Sequence, residues 1–275
     1  MEAGIFAKTF VRPDVNEVLK VARGLGYTTV QFNMACAGLP SMPDEADRSV
    51  FETIKAAAKE NKLSIAALSG TFNMIHPDVK VREKGLRSIG ILIRNAKVLG
   101  TNVVSICTGS RDEKDMWQEH PRNNDPDAWR DLCVTLEKTL KIAEEEQVFI
   151  AFEPELGNVI NSTKKGRQLL TDMRSQNLKV IFDPANLFEK ASQKEIQRLI
   201  AEGLDNLGEH VVLAHAKDRK ADGSFAAAGT GIIPFGYFIS ELKKNGFDGA
   251  LVAHGLEESQ AATCYEFLKK HLNEL

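Results

Sequence analysis

The chain has 275 residues, 43% of them hydrophobic, and its 35 Lys and Arg against 38 Asp and Glu give a formal net charge of −3. This balance disfavours a nucleic-acid partner, which a basic surface would attract, and no apolar stretch approaches the roughly 20 residues that cross a bilayer. The N-terminus lacks the pattern of a signal peptide and the four scattered cysteines form no C-x-x-C pair, so we expect a cytoplasmic protein without a disulfide framework.

Short apolar stretches alternate with amphipathic ones along the whole chain. The apolar stretches are typical of buried parallel strands and lie at residues 4–7, 28–32, 63–68, 102–107, 148–152, 178–182, 211–214 and 250–253. The amphipathic stretches predict helices at about residues 13–25, 44–61, 79–99, 126–147, 163–176, 193–207, 234–245 and 257–275. Two long loops separate these elements, one at residues 112–125 and another, rich in Gly and Ala, at 220–231, which we expect to be flexible.

The eight strand–helix units predict the fold class. Alternation of strands and helices indicates a parallel sheet, and eight units in about 250 residues favour a closed (β/α)₈ barrel over an open doubly wound sheet. No G-x-G-x-x-G pattern follows the first strand, which further disfavours a dinucleotide-binding fold. We therefore predict one TIM-barrel domain over residues 1–275, with its active site at the C-terminal ends of the strands.

The last four predicted strands each end on a side chain that can bind a metal or transfer a proton. These side chains are Glu153, Asp183, His215 and His254. Each alone is often structural, but at equivalent ends of consecutive parallel strands they should converge on one side of the barrel. Two carboxylates and two imidazoles suit one divalent metal ion, which we expect to be Mn²⁺, Co²⁺ or Zn²⁺, with Mg²⁺ as a further possibility.

Such a metal ion would support proton transfer next to a carbonyl group. It would polarise the carbonyl of a hydroxy-ketone and acidify the neighbouring C–H bond. A carboxylate within hydrogen-bond reach would then remove the proton through an enediolate.

Four segments of the sequence together resemble the xylose isomerase-like superfamily of sugar and sugar phosphate isomerases and epimerases: residues 153–154, 182–187, 215–218 and 249–255. The resemblance spans nearly the whole chain, and its specific part is the order Glu, Asp, His and a residue at the end of the eighth strand. It implies that Glu153, Asp183 and His215 bind one divalent metal ion. Ketose 3-epimerases of this superfamily transfer protons with two glutamates, from the fifth and eighth strands.

The eighth strand departs from the superfamily pattern, because His254 stands where most relatives have a glutamate. An imidazole still binds metal, so His254 is predicted to be a fourth ligand, but the two-glutamate proton transfer does not carry over. Either Glu153 works together with His254, or a nearby carboxylate such as Glu155 or Glu257 takes the place of the missing glutamate.

Further residues at the strand ends are candidates for contact with substrate: Asn186, His76, Lys217, Arg111 and Glu155. Asn186 lies where many relatives have a substrate-binding histidine, and Arg111 would suit a phosphate or carboxylate group. Lys217 and the following Asp218 are expected either to bind substrate or to orient His215.

The predicted function is a metal-dependent isomerase or epimerase of a ketose, sugar phosphate or related polyol. A lyase, such as a dehydratase of a cyclic polyol-ketone, begins with the same chemistry and is the alternative. The negative charge and the six histidines disfavour a phosphodiesterase resembling endonuclease IV, and buried carboxylates disfavour a metal-free binding barrel. We expect a small sugar-like partner, with neither nucleic acid nor membrane, and the resemblance implies a homodimer or homotetramer.

Overall fold

The computed structural model describes residues 1–273, whose strands form a closed barrel. The strands are β1 (Glu2–Phe6), β2 (Thr29–Phe32), β3 (Ser64–Ser69), β4 (Val103–Ile106), β5 (Phe149–Phe152), β6 (Leu178–Phe182), β7 (Val211–Arg219), β8 (Phe225–Ala227) and β9 (Ala250–Ala253). Strands β1 to β7 pair in parallel in chain order, and β9 closes the barrel between β7 and β1. Only β8 is not part of this closed barrel, because it pairs antiparallel with the end of β7.

Eight α-helices within residues 1–273 surround the barrel: α1 (Val15–Gly24), α2 (Arg48–Glu60), α3 (Val79–Ala96), α4 (Pro126–Glu146), α5 (Thr163–Met173), α6 (Gln193–Leu207), α7 (Phe235–Lys244) and α8 (Ala261–Asn273). Each presents an apolar stripe to the barrel, as α1 does with Val18, Leu19 and Ala22. The predicted (β/α)₈ fold is therefore confirmed. No helix of this part of the chain is long and apolar enough to span a bilayer.

Helix ends differ from the prediction where the backbone becomes left-handed. The fifth helix was expected to reach residue 176, but it ends at Met173 because Arg174 has φ 53°. Helix α3 ends at Ala96, and a short 3₁₀ turn continues to Gly100, which has φ 84°. The last two residues of the predicted closing helix, 274 and 275, lie outside the described residues.

The Gly- and Ala-rich segment 220–231 folds as part of a hairpin, in contrast to the expected flexible loop. Strand β7 extends five residues beyond the predicted end, and β8 pairs with it so that Arg219 lies opposite Phe225. The buried carboxylate of Asp218 accepts four backbone N–H groups at 2.8–3.1 Å, those of Arg219, Gly229, Gly231 and Ile233. Asp218 therefore holds the hairpin together.

Replacing Asp218 should destabilise the barrel. In Asp218→Ala the four N–H groups lose a charged acceptor in a buried position, and we expect a loss of about 3 kcal/mol in the free energy of unfolding. Urea denaturation measures it, with Asp205→Ala on the exposed face of α6 as the control, for which we expect a change within about 0.5 kcal/mol. Equal stability of the two variants would contradict the anchoring role of Asp218.

Candidate active site

The alternation of side chains along the strands places the predicted residues at the mouth of the barrel. One apolar residue from each of four strands belongs to the cluster inside the barrel: Ala151, Ile181, Leu213 and Val252. Two positions further along the chain come, in the same order, Glu153, Asp183, His215 and His254; His215 lies within β7, and the other three directly follow the last residue of their strands. Because side chains two apart lie on the same face of a strand, the strands put a polar layer directly above the apolar one.

Three of these residues form a buried cluster. Glu153, Asp183 and His215 are 8%, 2% and 2% exposed, and each offers a ligand atom within 4.8 Å of the other two. Oε2 of Glu153 and Nδ1 of His215 lie 3.2 Å apart. The predicted convergence of these three side chains is therefore present in the structure.

Gln31 determines how His215 is oriented. Its Oε1 lies 2.8 Å from Nε2 of His215, while its amide nitrogen donates to Oγ of Ser105. An amide oxygen only accepts, so Nε2 of His215 carries a proton and, in a neutral imidazole, Nδ1 presents its lone pair to Glu153. Such a partner fixes the tautomer of a metal-binding histidine. The sequence contained no signal for Gln31 beyond its position on the second strand.

The cluster fits a divalent cation. Nδ1 of His215, Oδ2 of Asp183 and Nδ1 of His254 are buried and have no hydrogen-bond partner. A carboxylate oxygen and an imidazole lone pair 3.2 Å apart repel each other unless a proton or a metal ion lies between them. Two carboxylates and one imidazole suit Mn²⁺, Co²⁺ or Zn²⁺, and the oxygen ligands also suit Mg²⁺. The three residues could thus hold a metal ion.

Lys217 and Asn186 link the two carboxylates of the cluster. The ammonium of Lys217 forms an ion pair with Oδ2 of Asp183, 3.0 Å away, in a geometry that is not that of a hydrogen bond. It also donates a hydrogen bond to Oδ1 of Asn186 at 2.9 Å. The amide nitrogen of Asn186 donates in turn to Oε1 of Glu153 at 2.6 Å. Both residues are predicted to contact substrate; the structure shows that they line the pocket and orient the carboxylates, and contact with substrate stays a prediction.

The two glutamates after β5 have opposite pKa shifts. Burial acts to raise the pKa of Glu153, but the imidazole of His215, when it carries a proton on Nδ1, and the ammonium of Lys217 outweigh burial and lower the pKa. Burial and the charge of Glu153 raise the pKa of Glu155. An ionised carboxylate next to a carboxyl group that keeps its proton is an arrangement that acid–base catalysis requires.

His254 stacks on its neighbours. Its ring lies 4.8 Å from that of His215, with 14° between the planes, and 5.2 Å from that of Phe6. Burial, together with His215 and Lys217, lowers the pKa of His254 to about 3, so its imidazole is neutral at pH 7. In the described part of the chain, the group of ligand atoms within 4.8 Å contains only Glu153, Asp183 and His215, and metal binding by His254 stays a prediction.

A pocket of about 380 Å³ opens above the cluster. Glu153, Glu155, His215 and His254 line it, together with hydroxyl and amide groups from other strand ends: Gln31, Asn33, Ser41, Ser69, Thr71 and Ser105. Ser69 and Ser105 follow the interior residues Ala67 and Val103 by two positions, which is the periodicity that would have predicted them. A pocket so rich in hydrogen-bonding groups suits a hydroxylated ligand.

The comparison with protein families identifies the barrel. A family model described as xylose isomerase-like TIM barrel matches residues 19–271. The chain belongs to this family. No curated protein sequence matches it.

Solved structures of this fold cover almost the whole chain. A D-tagatose 3-epimerase-like protein is 18% identical, with a TM-score of 0.77, over 100% of this chain and 98% of the other. A probable 3-DHS dehydratase from Bacillus anthracis is 13% identical, with a TM-score of 0.77, over 100% of both chains. A xylose isomerase-like barrel from Mycobacterium smegmatis in complex with magnesium is 15% identical, with a TM-score of 0.73, over 99% and 96%. At these identities the likeness establishes the fold alone.

Two predicted substrate-binding residues of this xylose isomerase-like barrel lie outside the pocket. His76 contacts the carbonyl of Glu113 through Nε2 and accepts the N–H of Asp78 at Nδ1. Arg111 is 5% exposed, donates to the carbonyl of Ile75 and to Asp131 at 2.7 and 2.8 Å, and pairs with Asp127. The polar atoms of both residues thus hold loops together, and contact of either residue with substrate stays a prediction.

Arg111→Met should affect stability and leave the metal site intact. The substitution removes the buried partner of Asp131 and of the Ile75 carbonyl, and we expect a loss of about 3 kcal/mol in the free energy of unfolding. Arg122→Met is a matched control, because Arg122 pairs with the same Asp127 on the surface, and its loss should stay below about 1 kcal/mol. Urea denaturation distinguishes the two, and unchanged stability of Arg111→Met would refute the structural role.

Proposed function

We propose that this barrel is a divalent-metal-dependent isomerase or epimerase of a ketose, a sugar phosphate or a related polyol. The observation that carries the proposal is the buried group of Glu153, Asp183 and His215 at the base of a polar pocket. Buried carboxylates are costly unless a cation or hydrogen bonds compensate them, and active sites of TIM barrels lie at this end. The similarity to a D-tagatose 3-epimerase-like protein supports the same class of reaction.

Glu153 is the proposed proton acceptor. A divalent cation held by the cluster would supply the Lewis acidity that makes a proton next to a substrate carbonyl easier to remove. The lowered pKa of Glu153 keeps its carboxylate ionised at neutral pH, and Asn186 holds it through Oε1. A proton leaving the substrate in the pocket therefore has an ionised, oriented acceptor.

His254 is the proposed second proton-transferring residue, in the place of the glutamate of relatives. Its imidazole is neutral and lines the pocket with a free Nδ1, so it would first take up a proton, from the substrate or from water, before it delivers one. Glu155 is the alternative, because it lines the same pocket. Glu257 is not suited to this role, since it is exposed and its carboxylate caps the turn that begins at Glu258.

A metal analysis tests the cluster directly. Purified protein should contain about one equivalent of a divalent metal, and Asp183→Asn should lose it because the neutral amide is a much weaker ligand. Asp205→Asn, on the exposed face of α6, is the control and should retain the metal. Absence of metal from the wild-type protein, even after reconstitution with Mn²⁺, Co²⁺, Zn²⁺ and Mg²⁺, would refute metal dependence.

Exchange of substrate protons with solvent tests the reaction. With ketoses and their phosphates in D₂O, the metal-loaded enzyme should introduce deuterium next to the carbonyl, and Glu153→Gln should slow this by about 100-fold or more. His254→Gln should still exchange that proton but fail to form the isomer or epimer, whereas Glu257→Gln should behave as wild type. If Glu155→Gln, rather than His254→Gln, still exchanges the proton but forms no isomer or epimer, Glu155 is the second proton-transferring residue.

Dehydration of a polyol-ketone is a second candidate reaction. It begins with the same proton removal, and the carboxyl group of Glu155 in the pocket supports it because a departing hydroxyl group needs a proton donor. The mass of the product distinguishes the two reactions, since a dehydratase releases water and an epimerase does not. Homo-oligomer formation and a cytoplasmic location stay predictions.

A further inference from the structure

A second cavity continues outward from the central pocket. This outer cavity encloses about 510 Å³ and has five lining residues in common with the central pocket: Trp117, Glu155, Asn186, Lys217 and His254. The two cavities therefore form one continuous cleft. We propose that the outer cavity binds a second, uncharged sugar ring, so that the substrate is a disaccharide or other glycoside. This inference rests on the proposed function, which places the reacting ring in the central pocket.

Two exposed aromatic side chains form walls of the outer cavity. Among the large hydrophobic side chains of residues 1–273 that are exposed, only Trp117 (49%) and Phe225 (52%) are aromatic, and both line this cavity. The other exposed ones are valines. Aromatic faces carry negative partial charge and attract the partly positive C–H edges of a sugar ring. Exposed aromatic residues that meet in one cavity thus indicate a ligand with such a surface.

The hairpin holds Phe225 in place. The ammonium of Lys217 lies 4.3 Å, and the guanidinium carbon of Arg219 4.1 Å, from the centre of its ring. Phe225 lies opposite Arg219 in the ladder between β7 and β8, and the buried Asp218 anchors the turn that follows. The position of the ring is therefore set before any ligand binds, which reduces the entropy lost on binding.

A buried asparagine holds the loop of Trp117 in the same way. Asn158 is 1% exposed and donates from Nδ2 to the carbonyl of Met116 at 2.9 Å. Its Oδ1 accepts the N–H of Gly109 at 3.2 Å, at the beginning of the same loop. The N–H of Trp117 donates to Asp115 at 2.9 Å. Both aromatic walls are thus attached to fixed backbone.

The charges of the outer cavity favour a neutral ligand over a phosphate. The carboxylates of Glu119 and Glu189 line it, together with the carboxyl group of Glu155, whose raised pKa lets it keep its proton. Of its two cations, Lys217 pairs with Asp183, and Arg219 donates to backbone carbonyls. A phosphate would thus meet two carboxylates and, among the described lining residues, only Arg219 as a cation that is not paired with a carboxylate. Sugar hydroxyl groups, in contrast, can donate hydrogen bonds to carboxylates.

Calorimetric titration of the Mn²⁺-loaded enzyme tests the proposal by binding and not by turnover. The probes are maltose, cellobiose, lactose, sucrose and trehalose, each compared with its component monosaccharides. We expect at least one disaccharide to bind about tenfold more tightly than both of its components. Equal or weaker affinity of every disaccharide would overturn the proposal, and so would absence of disaccharide binding.

Variants of the two walls assign that preference to the outer cavity. Phe225→Ala should lower the affinity for the preferred disaccharide about tenfold while changing monosaccharide affinity less than about twofold. Trp117→Ala, at a residue that also lines the central pocket, should lower the disaccharide affinity more than the monosaccharide affinity. Val134→Ala, an exposed hydrophobic residue on α4, is the control and should change neither. An equal loss for both kinds of sugar would overturn the assignment, because it would place the walls at the reacting ring.

Fluorescence gives an independent measurement. In Trp129→Phe the only tryptophan left is Trp117. Its emission should shift more with the disaccharide than with the component monosaccharides, because Trp117 lines both cavities; an equal shift with both, or no shift with either, would count against the outer cavity. If the protein binds no metal or exchanges no substrate protons but still prefers disaccharides, the proposed function is refuted and the second-ring site stands. If the enzyme exchanges protons of monosaccharides but shows no preference for disaccharides, the second-ring site is refuted and the proposed function stands.

Discussion

The site depends on two carboxylates, Glu153 and Asp183, that are buried where an apolar barrel interior ends. Taking a carboxylate out of water costs several kcal/mol unless charge or hydrogen bonds replace the lost hydration. Here the ammonium of Lys217 compensates Asp183, and the amide of Asn186 compensates Glu153. The compensation is incomplete, since Nδ1 of His215 lies 3.2 Å from Oε2 of Glu153 and has no hydrogen-bond partner. This residual electronegative site is what makes the pocket suited to a cation.

The barrel can carry such a site because each strand changes from apolar to polar within two residues. Ile181 fills the interior and Asp183 stands above it, and Leu213 and His215 repeat the arrangement on the next strand. The apolar layer excludes water from below, which strengthens the electrostatic interactions of the layer above. Side chains on strands are also held more rigidly than side chains on loops, which is an advantage for a catalytic group.

The loops at the mouth are ordered by buried polar side chains. Asp218 accepts four N–H groups of the hairpin, and Asn158 joins the beginning of the loop that carries Trp117 to the residue directly before Trp117. Binding surfaces of TIM barrels are built from such loops, whose variation changes the substrate while the metal-binding strands stay the same. In this chain the loops present Trp117 and Phe225 to the cleft. Asp218 and Asn158, which hold these loops, therefore contribute both to the stability of the barrel and to the shape of its pocket.

The sequence by itself determined the eight strand–helix units and the strand-end residues Glu153, Asp183 and His215. The strand–helix units follow from local periodicity. The parallel barrel that they predict brings all C-terminal strand ends to one side, which is why the three strand-end residues were expected to converge. Only the tertiary structure decided that Arg111 lies in an ion-pair network away from the pocket and that Gln31 orients His215, from which it is 184 residues distant in sequence. Such contacts depend on the paths of loops and on the geometry of barrel closure, and the periodicity of a single segment contains neither.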